Sequence, residues 1–382
     1  MKYLLLCLCV AVANAALAPL HTSTSRSVPD SWIVVVKDAD QLDRVEAEIM
    51  DAFHELRMPT PRTTKISNLL PALTLKIPAR LIDRVRTVEG IEYIQQDVLG
   101  TIYGQASAGA AWGIDRIDSR SGVDGFYTYN DNALGEGAKI FIVDTGIQTT
   151  HVVFGGRASL LYGSTDDQGH GTHCAGTAGG DIVGIARLAQ IFSVKVCNWL
   201  GQCPTSTVAS GLDAIVNDHG TGDGSGVVSM SLGWSTNPTV DAFTEEMIDN
   251  GYTLSVAAGN SNADACQTSP ARVAGCLTVG ATDNGDQRAS FSNYGACLDL
   301  FAPGVDIFSA AYNTFSDNYG TYMSGTSMAC PHVTGACAIY LGSNSGASPS
   351  TVHDAIVNAT TSDAISQIGT GSPNKFLYIN PE

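Results

Sequence analysis

The sequence predicts an α/β fold in two parts: a mostly parallel sheet with helices on both faces, preceded by a small ferredoxin-like α+β unit. Three observations carry this. From Trp112 onward, continuous apolar runs alternate with helical patterns, as buried parallel strands and their crossovers do. Residues 31–97 instead follow a β-α-β-β-α-β order. Of the 382 residues, 44% are hydrophobic and only 15% charged, enough to bury a large core.

Taken in order, residues 1–15 read as a secretory signal. Lys2 supplies the positive end, residues 4–12 a short apolar stretch and Ala13-Asn14-Ala15 a small-x-small cleavage site. That stretch is too short to cross a membrane, and the product is expected outside the cell. Residues 16–104 then form the leading unit, folded over about 31–97. Trp32-Ile33-Val34-Val35-Val36 is strand-like, and Leu42, Val45, Ile49 and Phe53 follow a helical spacing. Residues 65–70 and 72–77 are strand candidates around Pro71. Leu81, Ile82 and Val85 suggest a helix opened by Pro78, and residues 90–96 a last strand. Residues 101–111 are small and polar, a linker composition.

The main domain takes 105–382. Its strand candidates are residues 140–143, 191–196, 227–232, 254–258, 276–281 and 298–302. Between them, Val208, Leu212, Ile215 and Val216 give one helical pattern, and Val240, Phe243 and Met247 another. Ser348-Pro349 opens a final helix with a cap followed by proline. In such sheets the ligand lies at the carboxyl ends of the strands, where Asp144 and Asn260 fall.

Charge excludes some functions. The chain has 37 Asp+Glu against 20 Lys+Arg, a net of −17, and residues 105–382 carry −16 of it. A surface this acidic argues against nucleic acid or an anionic membrane as partner. Once Cys7 and Cys9 leave with the signal, eight cysteines remain in an oxidising compartment, and none has zinc-finger spacing with histidine.

Three stretches carry chemistry. Val143-Asp144-Thr145-Gly146 places a carboxylate at a strand end. His170-Gly171-Thr172-His173-Cys174-Ala175-Gly176 starts a helix at His170. Gly325-Thr326-Ser327-Met328-Ala329-Cys330-Pro331-His332 runs a loop into a helix with Ser327 at the junction, and that helix is expected to end near Leu341 with Gly342 as its cap. Pro331 falls in or near its first turn. Each has a plainer reading: a loop cap, a metal pair of histidines, an N-cap serine. Together they supply what a serine nucleophile needs: a base within reach, an acid behind that base, and a helix N-terminus beside the hydroxyl.

These motifs, in the order Asp, His, Ser, resemble the subtilisin-like serine proteases, most of all their proteinase K branch. The resemblance covers nearly the whole chain. Trp112-Gly113-Ile114-Asp115-Arg116-Ile117 is similar to that branch's mature N-terminus, and residues 31–97 to its inhibitory propeptide. It implies Asp144, His170 and Ser327 as triad. Ala257-Ala258-Gly259-Asn260 matches the oxyanion segment, so Asn260 and the Ser327 N–H would hold the oxyanion. Gly201-Gln202-Cys203 and Ser231-Leu232-Gly233 match the two strands that sandwich the peptide, with Ala257, Ala258 and Gly259 completing the pocket for the residue before the cut (P1). Trp234 and Cys203 depart from the family, standing where glycine is usual; the Trp234 ring either narrows the pocket mouth or points to solvent.

Catalysis in the family needs no cofactor. Asp299 matches a calcium ligand, with a simple capped loop as the equal alternative. Cys197 and Cys203 enclose a short loop, Cys266 and Cys297 match a pair in thermostable relatives, and both pairs are expected as disulfides. Cys174 matches a free buried thiol; Cys276, Cys330 and Cys337 are compatible with small core residues. Asn358-Ala359-Thr360 is a glycosylation sequon.

The implied protein is a secreted, monomeric endopeptidase made as a zymogen. It would act on peptide and protein substrates with apolar or aromatic P1 residues, and its own propeptide would serve as inhibitor and folding aid. A silent binding scaffold and a narrow processing protease are the rivals. The four catalytic identities argue against the first. The absence of acidic residues over 233–238 argues against the second.

Overall fold

The computed structural model describes residues 17–22, 27–55, 58–102, 111–129 and 133–379, with the backbone alone for 100–102. The signal expected over 1–15 and most of the linker lie outside the described residues. The chain divides into two compact units: Pro29–Lys65 and Pro71–Gln96 belong to the smaller, Ile66–Leu70 and the chain from Asp97 onward to the larger.

In the smaller unit, helix Leu42–Glu55 buries Leu42, Val45, Ile49 and Phe53, the stripe read from the sequence. They pack on Trp32, Val34 and Val36 of strand Ser27–Val36 and on Leu73 and Leu75 of Ala72–Lys76. The sheet order places Ile91–Ile102 beside Ser27–Val36, then Ala72–Lys76, then Arg62–Ile66. This is the split β-α-β order closed with its first and third strands central. The strand expected over 65–70 is displaced to Arg62–Ile66, because residues 67–70 turn. The last strand does not stop at 96 but runs to Ile102, so 101–102 are strand rather than linker.

The larger unit is built on a sheet ordered, among the described residues, Thr361–Ser362, Lys375–Phe376, Leu300–Pro303, Leu277–Thr282, Thr253–Ala257, Gly226–Met230, Lys139–Asp144, Gln190–Lys195, Ala158–Tyr162. Every neighbouring pair is parallel except the first. The six apolar runs are these central strands, shifted by one or two residues, as boundaries usually are. Edge strand Ala158–Tyr162 and the hairpin Ile307–Ala310 with Gly320–Met323 are not among those runs; they are short, and neither Ala158–Tyr162 nor Gly320–Met323 is buried on both faces as the central strands are. Helices His170–Gly179 and Thr326–Ser343 pack together on one side of the sheet; Thr205–His219 and Pro238–Asp249 pack together as well. Chain order reverses at Lys139–Asp144: its successors lie on one flank, and Gly226–Met230 opens the other. A cleft at the carboxyl end of this strand follows from the reversal.

Helix Thr326–Ser343 differs in two details from its sequence pattern. It continues past Leu341 to Ser343 with Asn344 as cap, and Gly342 lies inside it. A Cβ on Gly342 would come within 2.9 Å of the Gly135 backbone, so glycine serves close packing there rather than termination. Pro331 is the sixth residue of the helix, in the second turn and so near the first, as its sequence position suggests.

Candidate active site

Strand Lys139–Asp144 delivers Asp144, and helix His170–Gly179 begins at His170. Both side chains are buried, and His170 Nδ1 lies 2.8 and 2.9 Å from the two Asp144 carboxylate oxygens. Asp144 Oδ1 also accepts the Thr145 N–H at 2.7 Å. Strand and helix approach this closely because Gly171 has no side chain: a Cβ there would stand 2.2 Å from the Gly146 carbonyl.

A carboxylate not foreseen in the sequence, Asp166, ties the two elements. It is fully buried, and its oxygens accept from Thr145 Oγ1, the Gln168, Gly169 and Thr172 N–H groups and Thr172 Oγ1. Thr145 Oγ1 in turn accepts from Gly171 N–H at 2.9 Å. The helix N-terminus that carries His170 is thus capped by a residue that also grips the turn after Asp144.

Ser327 falls on the first turn of its helix and is fully buried. Its hydroxyl donates to the Ser231 carbonyl at 3.0 Å, while His170 Nε2 is buried with no hydrogen-bond partner among the described residues. Pro331 explains the Ser327 carbonyl. Proline has no N–H to bond four residues back, so that carbonyl accepts from Ser231 Oγ at 2.9 Å and Cys174 Sγ at 3.3 Å instead. The helix start is thereby bonded to the strand-end residue Ser231 and to the His170 helix.

Electrostatics distinguish His170 from its neighbours. Burial opposes its charged form, but the Asp144 charge, helped by Cys174, outweighs burial and raises its pKa well above the usual imidazole value. Burial pushes His173 down to about 3 and His332 down to about 4. His173 Nε2 faces the Ile307 carbonyl at 2.9 Å, and among the described residues the ligand-type side chains that gather around His170 are Asp144 and Cys174, not His173, so the two histidines do not form the metal pair.

Asn260 is oriented by its neighbour. Its Oδ1 accepts the Thr326 N–H at 2.9 Å and Thr326 Oγ1 at 2.8 Å, which leaves Nδ2 as the group facing away from Thr326. Thr326 Oγ1 also accepts from Gly259 N–H at 3.1 Å, fixing the 257–259 segment to the same helix start. Gly259 has φ 103, a backbone region that favours glycine.

The two strands expected to hold peptide do hold chain. Leu99, Gly100 and Thr101 pair antiparallel with Pro204, Cys203 and Gln202; Thr101 and Ile102 pair antiparallel with Gly233 and Leu232. Gly201 lies just before the first strand, in a turn with φ 68. Cys203 offers the cleft only its backbone, because its sulfur is bonded to Cys197. Cys266 and Cys297 are bonded too; Cys174, Cys276, Cys330 and Cys337 are free and buried. Neither orientation expected for Trp234 describes it fully: it is buried, not in solvent, and its Nε1 donates to the Val98 carbonyl at 3.2 Å.

Asp299 Oδ2 accepts the Thr278 N–H at 2.8 Å, and Oδ1 lies 3.3 Å from His353 Nε2. Both oxygens already face nitrogen donors. That set does not fit calcium, which takes six to eight oxygens, and it matches the capped-loop alternative.

Buried acid, imidazole and serine at the open end of a parallel α/β sheet define the class: a serine-type endopeptidase. Residues 135–375 match the model of the Subtilase family, and the chain belongs to that family. It is 39% identical to the extracellular serine proteinase of Thermus sp. (strain Rt41A), over 96% of this chain and 93% of that one. It is 37% identical to Proteinase R of Parengyodontium album, over 95% and 92%. A crystal structure of a cold adapted subtilisin-like serine proteinase aligns with TM-score 0.66 and 41% identity, covering 71% of this chain and 98% of that one. No helix among the described residues is long and apolar enough to cross a membrane.

Proposed function

We propose that this subtilase is a secreted endopeptidase made as a zymogen, with residues 16–104 as its propeptide and Asp144, His170 and Ser327 as its triad. The observation that carries the reading is the double strand pairing of Leu99–Ile102. This segment lies between both peptide-holding strands as an extended substrate would, by β-augmentation. We place the maturation cut just past this segment, near Tyr103-Gly104.

The chemistry follows from the atoms. Ser327 Oγ turns from the Ser231 carbonyl to His170 Nε2, which takes its proton as the oxygen attacks the peptide carbonyl. Asp144 holds Nδ1–H and stabilises the imidazolium. The Ser327 N–H, at a helix start, and Asn260 Nδ2 receive the oxyanion. His170 then gives its proton to the leaving amine, and water hydrolyses the acyl enzyme by the same steps reversed. The P1 pocket, between Ser231-Leu232-Gly233 and Ala257-Ala258-Gly259, contains no carboxylate among these six residues. Burying Lys or Arg there would leave a charge unpaired, whereas an apolar side chain gains about 1.5–3 kcal/mol. Broad cleavage after apolar or aromatic residues is the consequence.

The test is Ser327→Ala. It is expected to accumulate as the uncut proform, to lose label from an active-site fluorophosphonate, and to drop kcat by about a millionfold. Normal maturation of this variant in a protease-free host would sink self-cleavage, and labelling of the wild type at another residue would sink the triad.

A further inference from the structure

The strand ladder that holds residues 99–102 ends at Leu99, yet the chain is still held one residue further back. The Val98 carbonyl accepts two side-chain hydrogen bonds, from Trp234 Nε1 at 3.2 Å and from Thr205 Oγ1 at 3.0 Å. Both donors are buried, with Trp234 4% and Thr205 0% exposed. Neither is loosely aimed. Asn237 Nδ2 donates to Thr205 Oγ1 at 3.1 Å, so the hydroxyl hydrogen of Thr205 is left for Val98. Asn237 itself is fixed because its Oδ1 caps helix Pro238–Asp249, accepting from Thr239 and Val240 N–H groups. Trp234 rides on strand Leu232–Ser235, whose Gly233 pairs with Thr101. The strand that places a peptide at the cut therefore also places this donor.

We propose that Trp234 and Thr205 form a distal subsite that binds one main-chain carbonyl of extended peptide substrates. The carbonyl is that of the residue three before the one paired with Gly233, the sixth before the bond if the cut follows Tyr103. It is a feature of every peptide, so the subsite selects for length and extension rather than for sequence. Its bonds form under a buried indole, where the lack of competing water strengthens them. Unfolded polypeptide reaching the subsite is held at a point that short peptides miss. The inference rests on residues 97–102 lying where a substrate lies.

The experiment uses the mature enzyme and peptides with three to seven residues before one fixed scissile bond. Each lost bond of this kind is worth about two- to tenfold. The expected result is a step in kcat/KM of that size or more on reaching the sixth residue, seen mainly in KM. Trp234→Phe and Thr205→Val should each shrink the ratio of long- to short-peptide rates. A thioamide at the sixth carbonyl, a poorer acceptor, should remove the step in the unmodified enzyme and so needs no folded variant. No step at the sixth residue, or one that survives the thioamide, overturns the subsite. Failure to cut even the short peptides overturns the catalytic reading and the subsite with it.

Discussion

Helices Leu42–Glu55 and Thr326–Ser343 bury their residues in opposite ways. The first hides one stripe, Leu42, Val45, Ile49 and Phe53, and turns Asp, Glu and Arg outward. The second is buried all round from Thr326 to Ala338, with Ala, Cys, Gly and Thr where the first has Ile and Phe. An amphipathic helix gains its stability from large side chains on one face, and its polar face tolerates change. An enclosed helix gains it from close approach, and its small residues are spacers: a Cβ on Gly335 would sit 2.7 Å from the Ala178 carbonyl of helix His170–Gly179. Chemistry is carried by the enclosed kind, where packing on every side leaves Ser327 and His170 little room to move.

The sharpest way to break this comparison is Gly171→Ala. The added Cβ meets the Gly146 carbonyl at 2.2 Å and Asp144 Cβ at 3.1 Å, neither of which is a flexible tip. A loss of about 4 kcal/mol or more, or no folded protein, is expected in denaturant melts. A variant as stable as wild type would show that the enclosed helices yield more than their packing suggests.

Next in size, Asn260→Ala removes a donor without touching a helix. It should lower kcat by about 10²–10³-fold, or about 3–4 kcal/mol of barrier, with KM nearly unchanged. Steady-state kinetics on one peptide decide it; a pure KM effect would place Asn260 in ground-state binding. Ile49→Ala, on the amphipathic helix, should cost the smaller unit about 3 kcal/mol. It should leave kcat of the matured enzyme where it was. If matured activity per active site falls instead, the two helices are not independent as supposed.

The smallest effect belongs to Asp299→Asn. Losing the carboxylate that faces Thr278 and His353 should cost about 1–2 kcal/mol in thermal melts. The same loss is expected in excess calcium and in chelator. A loss seen only with calcium present would restore the ion site that the nitrogen donors argue against.

Asp144, His170 and Ser327 were legible because each lies in a string whose neighbours serve the same end: glycines for close approach, a strand end, a helix start. The Cys197–Cys203 pair was legible because a short loop leaves little choice. Asp166, Thr326 and Thr205 were not, although each is plain in the sequence. Asp166 gathers N–H groups two to six residues on and a hydroxyl 21 residues back, and reads locally as any loop residue; Thr326 and Thr205 reach Gly259, Asn260 and Val98, 66 to 107 residues away, which no local pattern records. The run of Ile91–Ile102 past 96 was missed for a related reason. Its last residues are strand because Gln202–Pro204 and Leu232–Ser235 receive them, and no local pattern records a partner a hundred residues away.

The sequence by itself determined the succession of elements, the residue types at the site and the family, since apolar periodicity and short motifs are local properties of the chain. Only the tertiary structure decided which atoms meet. Ser327 donates to Ser231, a carboxylate raises His170 while burial lowers His173 and His332, and Trp234 turns inward to the Val98 carbonyl. A hydrogen bond or a pKa depends on distance and burial at the scale of an ångström, and distances between residues remote in sequence are set only when the sheet closes.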